Sequence, residues 1–153
     1  MDKEKLKKEE LPKQSQNVPG KESEMNPEPE IIRDTYKGSD KLKDKVALIT
    51  GGDSGIGRSV AVHFAREGAN VAIIYLEEDE DAKLTRDMVE AEGAECLILR
   101  GDIRNRDFCK LSVEDVIKKF GKMNYLGAEP TRYQIDFTLL LFPTQRVGEL
   151  NHL

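Results

Sequence analysis

The stretch ITGGDSGIGR, residues 49–58, constrains this chain more than any other. Before it stands a short apolar run, KVALIT (45–50), with charged residues on one side and Gly51-Gly52 on the other. Such a run reads as a strand buried on both faces. After it, Ile56, Val60 and Phe64 recur at i, i+4 and i+8, with Ala61 and Ala65 beside them and Gly68 as a stop. That is the pattern of an amphipathic helix opening near Gly55. Between strand and helix the glycines follow the spacing Thr50-Gly51-x-x-x-Gly55-x-Gly57. Gly51 lets the chain turn sharply off the strand. Gly55 removes a side chain where a pyrophosphate has to approach the backbone, and Gly57 lets the helix pack closely on the sheet. The helix N-terminus would present N–H groups and a positive dipole end to an anion. Because the glycines sit inside a strand–turn–helix context, phosphate or dinucleotide binding is expected ahead of a turn that only shapes the backbone.

The same alternation continues downstream. NVAIIY (70–75) reads as a second buried strand, and a helix from about Asp79 to Glu92 places Leu84, Met88, Val89 and Ala91 on one side. ECLILR (95–100) is a third strand. Asn105 can cap a third helix with Cys109, Val113, Val116, Ile117 and Phe120 on its apolar face and Gly121 closing it. Alternating strands and helices imply an α/β fold, a Rossmann-type parallel sheet with right-handed crossovers and helices on both faces. The sheet reads as incomplete: strands 1–3 and the start of a fourth.

Three regions differ in kind. Residues 1–42 hold four of the six prolines and few apolar residues. They read as a solvated extension, or as an arm docking on a neighbouring subunit through Ile31, Ile32 and Tyr36. Residues 43–126 form the half-domain just described, and 127–153 carry no clear period. The formal net charge of −5 offers no basic footprint for nucleic acid. The first residues lack the apolar core of a signal peptide, and no run is long enough to span a bilayer, so a cytoplasmic protein with no membrane partner is expected. Cys96 and Cys109 form no C-x-x-C pair and read as reduced thiols in or near the core, and no metal site is expected. His63 lacks a partner at ligand spacing and reads as a surface or boundary residue.

The spacing T-G-x-x-x-G-x-G resembles that of the short-chain dehydrogenase/reductase family, over residues 43 to about 124. The upstream segments PGKESEMNPEP and YKGSDKL are similar to the N-terminal extension of a bacterial branch described as general-stress oxidoreductases. The resemblance implies a nicotinamide dinucleotide held by Thr50, Gly51, Asp53, Ser54, Gly55, Ile56 and Gly57 at the loop. It implies Tyr75 and Leu76 at the end of the second strand, and Asp102 and Ile103 after the third, where the family places an Asp against the adenine ring. A 2′-phosphate on the adenosine ribose needs Arg or Lys, whereas a free hydroxyl is commonly held by an acid. Tyr75-Leu76 is followed by Glu77, Glu78, Asp79, Glu80 and Asp81, and Ser54 is not basic, so NAD is expected ahead of NADP. These acids equally suit the N-terminus of a solvated helix.

Family members reduce carbonyls or oxidise alcohols with a Tyr-x-x-x-Lys pair, a Ser and an Asn. Here the residues four places after Tyr36, Tyr75, Tyr125 and Tyr133 are Asp40, Asp79, Glu129 and Phe137, and no N-N-A-G follows the third helix. No catalytic residue of the family is therefore assigned in this chain. Either the tail from 127 is out-of-frame translation that has lost the catalytic half, or the C-terminus is a genuine variant. On the first reading the chain derives from an oxidoreductase and is inactive alone. On the second it is a non-catalytic nucleotide-binding or regulatory module that associates with full-length relatives. Without a proper fourth strand KVALIT would be an apolar sheet edge open to pairing, and homo- or hetero-oligomers through that edge and the extension are expected. MNYL (123–126) or FTLLLF (137–142) could cover it.

Overall fold

A computed structural model describes residues 13–16 and 22–128. The expected tail beyond Ala128, with FTLLLF and His152, and the first twelve residues lie outside the described residues. The chain divides between Glu30 and Ile31 into two compact units. In the first, Glu22–Glu24 form a short 3-10 turn. There the Gln14 side chain pairs with the Asn26 backbone in both directions, at 2.9 and 3.1 Å.

The second unit is built of β1 (Val46–Thr50), α1 (Gly55–Arg66), β2 (Asn70–Tyr75), α2 (Asp79–Ala91), β3 (Cys96–Arg100), α3 (Arg106–Phe120) and β4 (Tyr125–Ala128). All pairings are parallel and the strand order is β3-β2-β1-β4. β1 and β2 lie in the middle of the sheet and are buried along almost their whole length, which is why their sequences are apolar without alternation. The alternation appears instead in which layer each side chain enters. Ala47, Ile49, Val71, Ile73 and Tyr75 pack under α1 and α2 with Ala61, Val62, Ala65, Ala82 and Val89. Val46, Leu48, Ala72 and Ile74 face the opposite layer, where Val116 of α3 is buried and Phe108, Val113 and Phe120 pack beside it. Helices thus cover both faces, as the α/β pattern requires.

β4 corrects one expectation. The apolar edge anticipated for β1 is covered, because Ala47 to Thr50 pair with Tyr125 to Ala128. The MNYL segment supplies the cover. Asn124 starts the ladder: its side-chain oxygen accepts from Val46 N–H at 3.0 Å and its own N–H donates to the Val46 carbonyl at 2.9 Å. Among the described residues the outer side of β4 has no strand beside it.

The helices depart from their expected faces at three points. Ile56 is 68% exposed, Leu84 is 48% exposed, and Ala91 at the end of α2 is exposed as well. Ile56 sits in the first turn of α1, beyond the sheet it would need for cover. On α2 the inward stripe is Ala82, Thr85 and Val89, one position off a face drawn through Leu84. The close approach of α2 to the sheet selects small inward residues. α3 follows expectation at its ends, with Asn105 accepting from Asp107 and Phe108 N–H and Gly121 in the left-handed region at φ 77°.

Residues 31–45 form a strap across α1. Ile31 and Ile32 pack against this chain's own core, and the Ile31 carbonyl accepts from Ser59 Oγ at 3.0 Å. The anchors expected to reach a neighbouring subunit are used internally. The strap is fastened at Glu67, a buried residue at the end of α1. Its carboxylate accepts from the Tyr36 hydroxyl, from Ser39 N–H at 2.9 Å and from Lys41 N–H at 3.1 Å. His63 is half-buried beneath the strap, its Nδ1 2.7 Å from the Ser59 carbonyl and its ring 5.3 Å from that of Tyr36. Cys96 is buried in the core, which pushes its thiol up to about 12. No described helix is long and apolar enough to cross a membrane.

Candidate functional site

The C-terminal ends of β1, β2 and β3 converge on the loops that carry the expected binding residues. At the end of β1 the glycine turn is tied to the neighbouring strand: Gly51 N–H donates to the Ile74 carbonyl at 2.8 Å. Gly51 has φ 63°, a conformation that costs an L-residue with a Cβ on the order of 1–2 kcal/mol. A Cβ on Gly57 would lie 2.0 Å from the Gly51 carbonyl oxygen, so the first turn of α1 rests directly on the turn that precedes it. Gly55 differs in kind. It has φ 55°, and among the described residues a Cβ there would meet nothing within 4 Å. The space beside it is open, as a backbone cradle for an anion demands.

Ser54 is the N-cap of α1, with extended backbone and no side-chain capping bond. The first-turn N–H groups of Ile56 and Gly57 therefore keep the anion-binding character of an uncapped helix start. Ile56, exposed beside them, flanks this opening. Thr50, at the mouth of the turn, is 6% exposed and its hydroxyl has no hydrogen-bond partner among the described residues. Such a buried polar group calls for a partner. Burial pushes the Asp53 carboxyl above its ordinary value. A Cβ-free open cradle, an uncapped helix start and an orphaned hydroxyl together fit a phosphate-bearing group.

At the end of β2, Tyr75 is 8% exposed and its hydroxyl donates to Asp79 at 2.8 Å. The second oxygen of Asp79 accepts from Arg100 at 3.0 Å, across the register pair Tyr75–Arg100. Leu76 projects into solvent, 52% exposed. The acids that follow are largely engaged: Asp79 with Arg100, Glu80 with Lys83 at 2.8 Å, and Asp81 with Arg58 at 2.9 Å. After β3, Ile103 packs into the layer under α3. Both oxygens of Asp102 accept from Arg104, which holds its carboxyl below the ordinary range. Gly101 is needed for contact: a Cβ there would lie 2.4 Å from the Phe108 ring. Thr50 to Gly57 thus lie at the C-terminal end of β1, with Tyr75-Leu76 and Asp102-Ile103 at the corresponding ends of β2 and β3.

Sequence reasoning missed three members of this region. Gly52 packs on β2, where a Cβ would lie 2.5 Å from Ile73 Cγ2. Arg58 and Thr85 are buried behind the loop, 4% and 0% exposed. A signal was available for Arg58, which shares the inward stripe of Ala61, Val62 and Ala65 at i+3, i+4 and i+7.

Comparison with known proteins agrees with this geometry. Residues 45–129 match the short chain dehydrogenase family. General stress protein 39 of Bacillus subtilis (strain 168) is 54% identical over 118 residues, covering 76% of this chain and 41% of that protein. A short chain dehydrogenase from Burkholderia cenocepacia J2315, in complex with NADP, superposes with a TM-score of 0.54 at 34% identity, covering 56% of this chain and 35% of that one. An NAD+-bound xylitol dehydrogenase superposes with the same TM-score, 0.54, at 28% identity, covering 56% of this chain and 33% of that one. The chain spans less than half the length of the curated relatives it matches. The match over more than half of its residues, together with the parallel sheet and the glycine turn at the C-terminal end of its first strand, shows that the chain belongs to the short chain dehydrogenase family.

Proposed function

We propose that this chain holds a nicotinamide dinucleotide, NAD ahead of NADP, as the cofactor-binding part of an NAD(P)-dependent oxidoreductase acting on a carbonyl or alcohol. The observation that carries the reading is Gly55: positive φ and open space at its Cβ, beside a helix start left uncapped by Ser54. When bound, the cofactor supplies the hydride donor or acceptor. Thr50, Gly51, Asp53, Ser54, Gly55, Ile56 and Gly57 take the pyrophosphate side. Tyr75 and Leu76 take the adenosine ribose, and Asp102 and Ile103 the adenine. The NAD preference is supported at the end of β2, where Arg100 is already paired with Asp79 and a 2′-phosphate would have to break that pair. A cytoplasmic location goes with this reading.

The 153 residues contain no Tyr-x-x-x-Lys, so the activity proposed for the chain by itself is binding without turnover. A second reading, a nucleotide-binding module that associates with full-length relatives, draws on the same observation and on the outer side of β4, which has no strand beside it among the described residues. Titration calorimetry of the purified chain with NAD and with NADP tests the first claim. One-site binding, tighter for NAD, is expected. Absence of heat with both at millimolar cofactor sinks it, and dehydrogenase turnover by the chain alone sinks the claim of binding without catalysis. Co-purification with a full-length relative is the result expected of the second reading.

A further inference from the structure

We propose that Arg58 is a positioning residue for the glycine loop: from inside the protein it fixes the Asp53–Ser54 peptide so that Ser54 N–H is presented to a pyrophosphate oxygen. The inference rests on the dinucleotide reading and assigns a role behind that site. A position on the inward stripe of α1 that served only to cover the sheet would be filled best by an apolar side chain, as at Ala61, Val62 and Ala65. A buried guanidinium is costly unless it is paired and hydrogen-bonded. Here the donors converge on one backbone oxygen. The Asp53 carbonyl accepts from Arg58 Nε at 3.0 Å, from Arg58 Nη2 at 2.6 Å and from the Thr85 hydroxyl at 2.9 Å.

Thr85 completes the arrangement. Its hydroxyl accepts from Arg58 Nε at 2.9 Å while donating its single proton to the Asp53 carbonyl. Asp81 balances the charge, accepting from Arg58 Nη2 at 2.9 Å. Both residues belong to α2, so the loop between β1 and α1 is braced against the next helix.

The consequence follows from peptide geometry. In a planar trans peptide the C=O of one residue and the N–H of the next point in opposite directions. Pulling the Asp53 carbonyl inward, toward Arg58 and Thr85, turns Ser54 N–H away from them. The next residue is Gly55, beside which a Cβ would find open space. Electrostatic recognition of an anion by backbone donors depends on those donors being fixed in advance, since reorienting a peptide on binding costs affinity.

The test separates a phosphate-specific effect from general destabilisation. ADP and adenosine share the base and ribose, and only ADP carries a pyrophosphate. In the full chain, Arg58→Gln should weaken ADP and NAD binding about tenfold, as expected for lost charge-assisted bonds, while adenosine measured by ligand-observed NMR stays within about twofold. Thr85→Val, of equal size but without the hydroxyl, should shift ADP in the same direction by about threefold, and Thr85→Ser should restore it. Parallel weakening of ADP and adenosine, or unchanged ADP affinity in folded Thr85→Val, overturns the proposal while leaving the dinucleotide reading intact. Failure of the unaltered chain to bind ADP or NAD overturns that reading and the proposal with it. Should Arg58→Gln fail to fold, the threonine pair still decides.

Discussion

At the scale of single residues, the glycines of the loop do different work, one by contact and one by conformation. Gly57 is a contact: a Cβ would lie 2.0 Å from a backbone oxygen, which has no flexible side chain to yield. Gly55 is a conformation with open space beside it. Gly57→Ala therefore has to displace α1 from the turn, an over-packing cost of about 1–3 kcal/mol or more. Gly55→Ala meets no atom of the described residues and bears the left-handed backbone cost, about 1–2 kcal/mol. Urea unfolding of the two variants should show Gly57→Ala as the less stable; the reverse order would mean that the turn is not in contact with the helix as described. That the glycines have distinct roles was legible in the spacing, because strand, turn and helix were all visible around it; Gly57, expected to pack on the sheet, rests on the Gly51 turn instead. The buried Arg58 and Thr85 were not read from that pattern. Its place on the α1 stripe turns Arg58 inward, but its charge, like the Thr85 hydroxyl, argues for the outside, and the atom that justifies their burial, the Asp53 carbonyl, belongs to the backbone and leaves no mark in a sequence.

Elements show the same division. β1, β2, α1, α2, β3 and α3 all stand where the alternation of apolar runs and helical stripes puts them, since burial on both faces leaves a strand few choices of residue. The faces of α1 and α2 were harder, because a Leu or Ile signals burial by type while the sheet accepts Ala and Thr at close approach. The strap was harder still. Its anchors Ile31, Ile32 and Tyr36 were visible, but a sequence does not say whether an anchor docks on its own chain or on another. Its fastening at Glu67 has a pH signature. Hydrogen bonds from the Tyr36 hydroxyl and from Ser39 and Lys41 N–H lower the Glu67 carboxyl from 4.5 to about 2. Because the folded value lies below the unfolded one, this contribution is fully present above about pH 4.5 and is lost as pH falls toward 2. The strap also faces Arg66, which donates to the Arg33 and Tyr36 carbonyls, and Lys41, whose Nζ lies 3.8 Å from Glu67. Hydrogen exchange at Ser39 and Lys41 amides should therefore lose protection between pH 4.5 and 2 relative to the β2 amides. In Glu67→Gln those two amides should already be less protected at neutral pH and change little with acid. Protection that is unchanged by the substitution would show that Glu67 does not fasten the strap.

For the molecule as a whole, the two faces of the sheet are covered unequally among the described residues. α1 and α2 lie over one face with five fully or nearly fully buried apolar side chains of their own, Ala61, Val62, Ala65, Ala82 and Val89. Over the other, α3 contributes Val116 as its one buried apolar residue, and Leu97, Leu99, Phe108, Phe120 and Leu126 are only partly buried. Partly buried apolar area adds less than the ~25 cal/mol per Å² of full removal would give if completed. The isolated chain should therefore melt low in the mesophilic range, near or below ~45 °C. A ligand that binds only the folded state then has a large visible effect: at a hundred times its Kd it adds about 2.7 kcal/mol, on the order of 10 °C for a unit of this size. NAD should raise the melting temperature by that amount and NADP by less at equal concentration, because the Asp79–Arg100 pair has to open for a 2′-phosphate. Adding Asp79→Asn makes the comparison internal. With Arg100 released, the NADP shift should approach or exceed the NAD shift. Equal shifts for both cofactors in the unaltered chain would refute the NAD preference while leaving dinucleotide binding in place. A cooperative melt far above 60 °C without ligand would show that the thin layer under α3 does not limit stability.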